Sequence, residues 1–126
     1  MSDRTYRTQR QAAREHKCAL CGKPIRPKAE FVYIKVFVDG YYREIKLHIH
    51  CDAIMNEYAE QNGLDEISMN NRGYMDIWIR ENACGVFLHE DCGREARERY
   101  SCPHVLRRII SPMLLTTALK SAKENE

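Results

Sequence analysis

The fold is decided by Cys18-Ala19-Leu20-Cys21-Gly22 and, with 26 residues between, by His48-Ile49-His50-Cys51. The first pair is spaced C-x2-C and the second H-x2-C, which together offer the four ligands of a tetrahedral structural zinc site. Gly22 supplies the backbone angle that closes a tight knuckle. Between the pairs, Glu30 to Val38 is β-branched and aromatic, the composition of a strand. Asp39-Gly40 marks a hairpin turn. Tyr41 to His48 then gives the return strand, with Tyr41, Arg43, Ile45 and Leu47 alternating against Tyr42, Glu44 and Lys46. A hairpin carries the chain back to where it began, so the two pairs converge. Three-residue spacing from His48 to Cys51 suits one helical turn. His50 is the alternative, either in place of His48 or as a contact behind the ligands.

Outward from this centre, Asp52 to Gln61 reads as a helix with Ile54, Met55 and Tyr58 on one face, stopped by Asn62-Gly63. On the N-terminal side, Ser2 or Asp3 is positioned to cap a helix running to about His16. Arg4, Arg7, Arg10 and Arg14 would form one stripe on that helix. Residues 1–29 carry eight basic residues against two acids, a local charge of +6. The remainder carries twelve against sixteen, or −4, so the overall +2 conceals a basic head on an acidic body. Arg4, Arg7, Arg10, Arg14 and Lys17 are the candidate phosphate contacts. A solvated N-terminal arm is the plainer reading of the same charges.

The motif Lys17-Cys18-x2-Cys21-Gly22-Lys23-Pro24-Ile25, followed by Phe37-Val38-Asp39-Gly40 and His48-x2-Cys51, resembles the treble-clef-like zinc fingers of the PARP type over about residues 14–62. The resemblance implies Cys18, Cys21, His48 and Cys51 as zinc ligands and a DNA-binding role. The basic arm running into Arg14-Glu15-His16-Lys17-Cys18 also resembles small zinc-finger proteins of bacteriophages and mobile elements. That implies a viral or mobile-element origin, a bacterial cytoplasm, and action by binding a host protein or nucleic acid.

The second half opens with a linker over Leu64 to Asn71. Tyr74 to Arg80 reads as a helix, with Tyr74, Ile77 and Trp78 on one face at 3.6-residue spacing, and a strand is the alternative. Ser101-Cys102-Pro103 and Ser111-Pro112 resemble two helix starts, each with serine as cap. Met113, Leu114, Leu115, Ala118 and Leu119 then give the apolar face of the last helix. Cys84, His89, Cys92 and Cys102 are spaced C-x4-H-x2-C-x9-C and form a candidate second zinc site, with His104 as the alternative to His89. Without metal, these cysteines read as buried thiols of a helical lobe.

The expected architecture is therefore α+β. Residues 1–63 form a basic arm and a treble-clef-like finger with a β-hairpin and helix. Residues 64–126 form a mainly helical, cysteine-rich lobe, for two Zn2+ per chain. No apolar run approaches the roughly 18 residues that cross a bilayer, and the polar N-terminus is unlike a signal peptide. Leu47-His48-Ile49-His50, Asn82 and His89-x2-Cys92 faintly resemble the HNH nuclease arrangement, but Gly93 stands where that family places a histidine. Phosphate-binding glycine loops and the zinc-deaminase motif are absent. The expected function is non-enzymatic binding, as a counter-defence or regulatory factor. The alternatives are DNA or RNA binding through the arm, and then a metal-dependent nuclease.

Overall fold

The computed structural model describes residues 4–38, 40–63, 72–84 and 96–125. Its order is β1 (Arg4–Gln11), β2 (His16–Lys17), β3 (Pro24–Ile25), β4 (Glu30–Val38), β5 (Tyr41–His48), α1 (Ile49–Gln61) and α2 (Arg72–Ile79). A wider π-type turn over Arg80–Cys84 prolongs α2, and α3 (Ala96–Arg99), α4 (Pro103–Ile109) and α5 (Pro112–Glu124) follow. The chain is α+β, with helices and antiparallel strands.

The β4–β5 hairpin forms as its alternation requires, with Phe31 opposite His48 and Val38 opposite Tyr41. Gly40 takes φ 81°, the left-handed conformation that glycine adopts without steric cost. One side of the hairpin turns Val32, Ile34 and Leu47 inward to be buried with Ile54 and Met55 of α1 in one core. Tyr58 also lies inside, so the expected face of α1 is present. The helix begins at Ile49, three residues earlier than expected, and ends at Asn62-Gly63, where Gly63 has φ 65°.

The N-terminal segment corrects the sequence reading. Residues 4–11 form β1 on the free edge of β4, with Arg7 opposite Ile34 and Thr8 opposite Tyr33, instead of a helix. Tyr6, Thr5 and Thr8 favour a pleated strand, and an unpaired edge offers a full ladder of hydrogen bonds. A strand has a side-chain period of two, so the arginine stripe is broken. Arg7 reaches towards α1 and pairs with Asp52 at 2.8 Å, while Arg10 lies over the Tyr33 ring on the opposite face.

In the second half, α2 forms as expected, but its packed face is rotated. Met75 and Ile79 are buried, whereas Tyr74 and Ile77 are exposed. Trp78 is half-buried and meets Tyr58 edge-on at 5.4 Å, a packing role. Cys102, not Ser101, occupies the cap position of α4, with Pro103 as the first helical residue. Ser111 does precede α5, although its hydroxyl makes no cap hydrogen bond. The face of α5 that packs is Ala118, Ser121 and Ala122, and Met113 is 92 % exposed. Tertiary contact with α1 chooses the small-residue face because it lets the two helices approach closely. Asn125 Oδ1 accepts the Arg26 backbone N–H at 2.9 Å, which ties the last helix to the segment after the knuckle. Leu64 to Asn71 lies outside the described residues.

Candidate metal centre

Four elements deliver four ligands. Lys17 pairs with Pro24 and His16 with Ile25, so β2 and β3 clamp the two ends of the Cys18–Gly22 knuckle. Cys18 N–H donates to Lys23 O at 3.0 Å and Gly22 N–H to Cys18 O at 3.1 Å, with Gly22 at φ 77°. Ala19 N–H donates to Lys46 O at 2.9 Å, which anchors the knuckle to β5. His48 ends β5 and Cys51 lies in the first turn of α1.

The donor atoms of Cys18, Cys21, His48 and Cys51 all lie within 4.8 Å of one another, and all four residues are buried. His48 Nδ1 is 3.3 Å from Cys21 Sγ and 3.6 Å from Cys51 Sγ. A tetrahedral Zn2+ with ordinary Zn–S and Zn–N bonds separates sulfur from nitrogen by about 3.6 Å, so the set fits the ion. His48 Nε2 lies 2.9 Å from Pro24 O, and a carbonyl only accepts. Nε2 therefore keeps its proton, and Nδ1, the nitrogen that faces the thiols, is the one free to bind a metal. Such a partner behind the ligand fixes both tautomer and ring orientation.

The electrostatics of the metal-free cluster point the same way. Hydrogen bonds from Cys21 and then Cys51 hold the Cys18 thiol far below its ordinary range. Burial drives Cys51 well above it. Burial alone would lower the His48 pKa, but Cys18 and Cys21 outweigh it and carry the imidazole up to about 10. In the metal-free cluster a thiolate therefore sits beside an imidazolium, whose Nδ1 proton occupies the place a metal cation would take. Three thiols and one imidazole are the soft donor set that zinc favours.

His50 is not part of the cluster, which decides between it and His48. It is 1 % exposed, stacks on His48 with ring centroids 4.7 Å apart, and places Nδ1 2.9 Å from Ser121 Oγ. Burial, followed by the His48 charge, lowers its pKa to about 3. The contact with Ser121, 71 residues away, has no signature in local sequence.

Of the second set, Cys84 and Cys102 are buried where the Arg80–Cys84 turn and α4 pack together, and His104 is exposed. His89 and Cys92 lie outside the described residues. The candidate phosphate contacts do not gather on one surface. Arg7 is engaged with Asp52, Arg10 belongs to the outer sheet face, and Arg14 and Lys17 are exposed near the knuckle. The side chain of Arg4 is outside the described set. Among the described residues no helix is long and apolar enough to cross a membrane. No family model, curated protein or solved structure matches the chain.

Alternation along the hairpin marks Tyr33, Tyr41 and Tyr42 as rings of which two face outward, but it does not point to Tyr6 or Phe37. Tyr6 of β1, Phe37 of β4 and Tyr42 of β5 form a connected row of exposed rings across the outer sheet face. Tyr6 was hidden by the helical reading of the arm. A strand reading of Tyr6-x-Thr8-x-Arg10 was the signal that would have found it.

Proposed function

We propose that this chain is a non-enzymatic zinc-binding protein that acts by binding another macromolecule. The carrying observation is the closed set of Cys18, Cys21, His48 and Cys51, four buried donors around one point. Four protein ligands complete a tetrahedral zinc and leave no position for water or substrate, which is the pattern of a structural ion. The knuckle, hairpin and helix follow the order of a treble-clef finger, and we read residues 1–63 as that unit. Residues 64–126 are read as the helical lobe, with a second zinc on Cys84, His89, Cys92 and Cys102. In the phage or mobile-element setting that the resemblance implies, the macromolecule bound would be a host protein or nucleic acid in the bacterial cytoplasm. The HNH alternative loses its remaining general base, because His50 is enclosed and engaged with Ser121.

Native mass spectrometry of the purified protein tests this reading. The expected result is a mass excess of two zinc ions, lost under denaturing conditions. A folded protein with no bound metal would overturn it. Cys51→Ser removes the first ion, whereas Cys92→Ser lowers the count from two to one. A count of one that Cys92→Ser leaves unchanged would remove the second site.

A further inference from the structure

The outer face of the three-stranded sheet is built unlike an ordinary solvated face. Antiparallel sheets that face water on one side usually present polar residues there. Here Tyr6 is 50 %, Phe37 40 % and Tyr42 48 % exposed. Tyr6 meets Phe37 edge-on with centroids 6.2 Å apart, and Phe37 meets Tyr42 at 5.2 Å. The row crosses all three strands with one ring on each: Phe37 stands directly opposite Tyr42, and Tyr6 lies diagonally across from Phe37, opposite Lys35. Beside it, Tyr6, Thr8, Arg10, Tyr33, Lys35 and Phe37 line an open depression of about 360 Å3.

Cations frame these rings. Arg10 Cζ sits 4.1 Å from the Tyr33 centroid, and Lys35 Nζ sits 5.9 Å from Tyr33 and 5.8 Å from Tyr42. Lys46 stands opposite Tyr33 in the register. The acid opposite Lys35 is Glu44, whose carboxylate accepts the Tyr42 hydroxyl. Hydrogen bonds from Tyr33 and then Tyr42 hold the Glu44 pKa below its ordinary value. Glu44 is thus spent on orienting the rings, while Arg10, Lys35 and Lys46 leave the face positive.

We propose that this face binds single-stranded nucleic acid, with unpaired bases stacked on Tyr6, Phe37 and Tyr42 and phosphates neutralised by Arg10, Lys35 and Lys46. Every base has a π-face, so a row of rings flanked by cations fits a single strand without requiring a sequence. A duplex hides its base faces within the stack and has no use for exposed rings. An acidic protein surface would also answer the cations and cover the rings, and it is the competing occupant that the oligonucleotide test discriminates. The assignment rests on the reading of the chain as a zinc-held binding protein and names the ligand of that scaffold.

The test is fluorescence anisotropy of zinc-loaded protein with labelled oligo-dT and oligo-rU, and with a duplex of equal length, across a salt series. Single strands should bind more tightly than duplex, with affinity falling steeply as salt rises. Phe37→Ala and Tyr6→Ala should each weaken single-strand binding roughly 5- to 100-fold. Phe37→Trp should retain it. Lys35→Ala should weaken binding and flatten the salt slope. Because Tyr6 and Phe37 are separate surface positions, unfolding of one variant leaves the other informative. The zinc count of each sample, read in parallel, separates the two readings. Zinc-loaded, folded protein that ignores oligonucleotides overturns the platform but not the zinc scaffold. The platform also falls if single-strand binding is indifferent to Phe37→Ala and Tyr6→Ala, or if duplex is preferred and only Arg14→Ala and Lys17→Ala weaken it. Loss of zinc from the wild type with the fold intact overturns the scaffold reading itself.

Discussion

The knuckle region and the helical region bury side chains for different reasons. Around the knuckle, Cys18, Cys21, His48 and Cys51 are enclosed although three thiols and an imidazole gain little from leaving water. In the helical half, Met75, Ile79, Tyr100, Val105 and Leu106 are enclosed, and apolar area itself supplies the driving force. The apolar residues of both halves share one core, but only the knuckle adds a buried polar cluster whose donor set an ion would satisfy. The difference teaches that a single unfolding experiment would mix two unlike contributions, and that each should respond to its own perturbation.

Metal removal should have the largest effect. Structural zinc contributes about 10–16 kcal/mol in finger peptides, so chelation or Cys51→Ser should unfold the hairpin region. Hydrogen exchange should show the amides of β4 and β5 losing protection before those of α4. Simultaneous loss in both regions would break the comparison and make the fold one cooperative unit.

Proton linkage sharpens the same contrast. In the metal-free site Cys51 holds its proton because burial raises its pKa, and His48 holds one up to about pH 10. Zinc must displace both, so binding releases protons and zinc affinity rises with pH below that value. Calorimetry of zinc binding near pH 7, in buffers of different ionisation enthalpy, should report net proton release. The stability of the helical half should lack this zinc-linked dependence.

Leu106→Ala comes next. Leu106 is fully buried in α4, and its truncation should cost about 2–5 kcal/mol by the lost transfer energy and the cavity left behind. Chemical denaturation would measure the loss, and the first zinc should remain bound. Ser121→Ala should have the smallest effect, about 1 kcal/mol, because it removes the hydroxyl's two hydrogen bonds with His50, to Nδ1 and to the backbone N–H, at the seam of α1 and α5. Zinc stoichiometry should again be unchanged. Metal loss on Ser121→Ala would show that the seam, rather than the knuckle alone, shapes the site.

Much of the fold and most of the first site were legible in the residues. Paired spacing, Gly22, the Asp39-Gly40 turn and Pro112 each act over a few positions, so local chemistry sufficed for the knuckle, the hairpin and the start of α5. Helical spacing groups Tyr74 with Ile77 without saying which stripe of α2 meets a neighbour, and both are exposed while Met75 and Ile79 are buried. Met113 and Leu114 misled in the same way, since hydrophobicity marks candidates and packing geometry selects among them.

The sequence by itself determined the four-donor cluster and the hairpin that joins its halves, because donor chemistry and turn stereochemistry depend on residue type and short spacing. Only the tertiary structure decided the rest. The open edge of β4 drew residues 4–11 into a strand and divided Arg7 from Arg10, since strand pairing is satisfied by a partner far along the chain. The Pro24 carbonyl and the Ser121 hydroxyl distinguished His48 from His50, because a histidine's role follows from what its second nitrogen meets. The ring row of Tyr6, Phe37 and Tyr42 likewise exists only where three strands align in register.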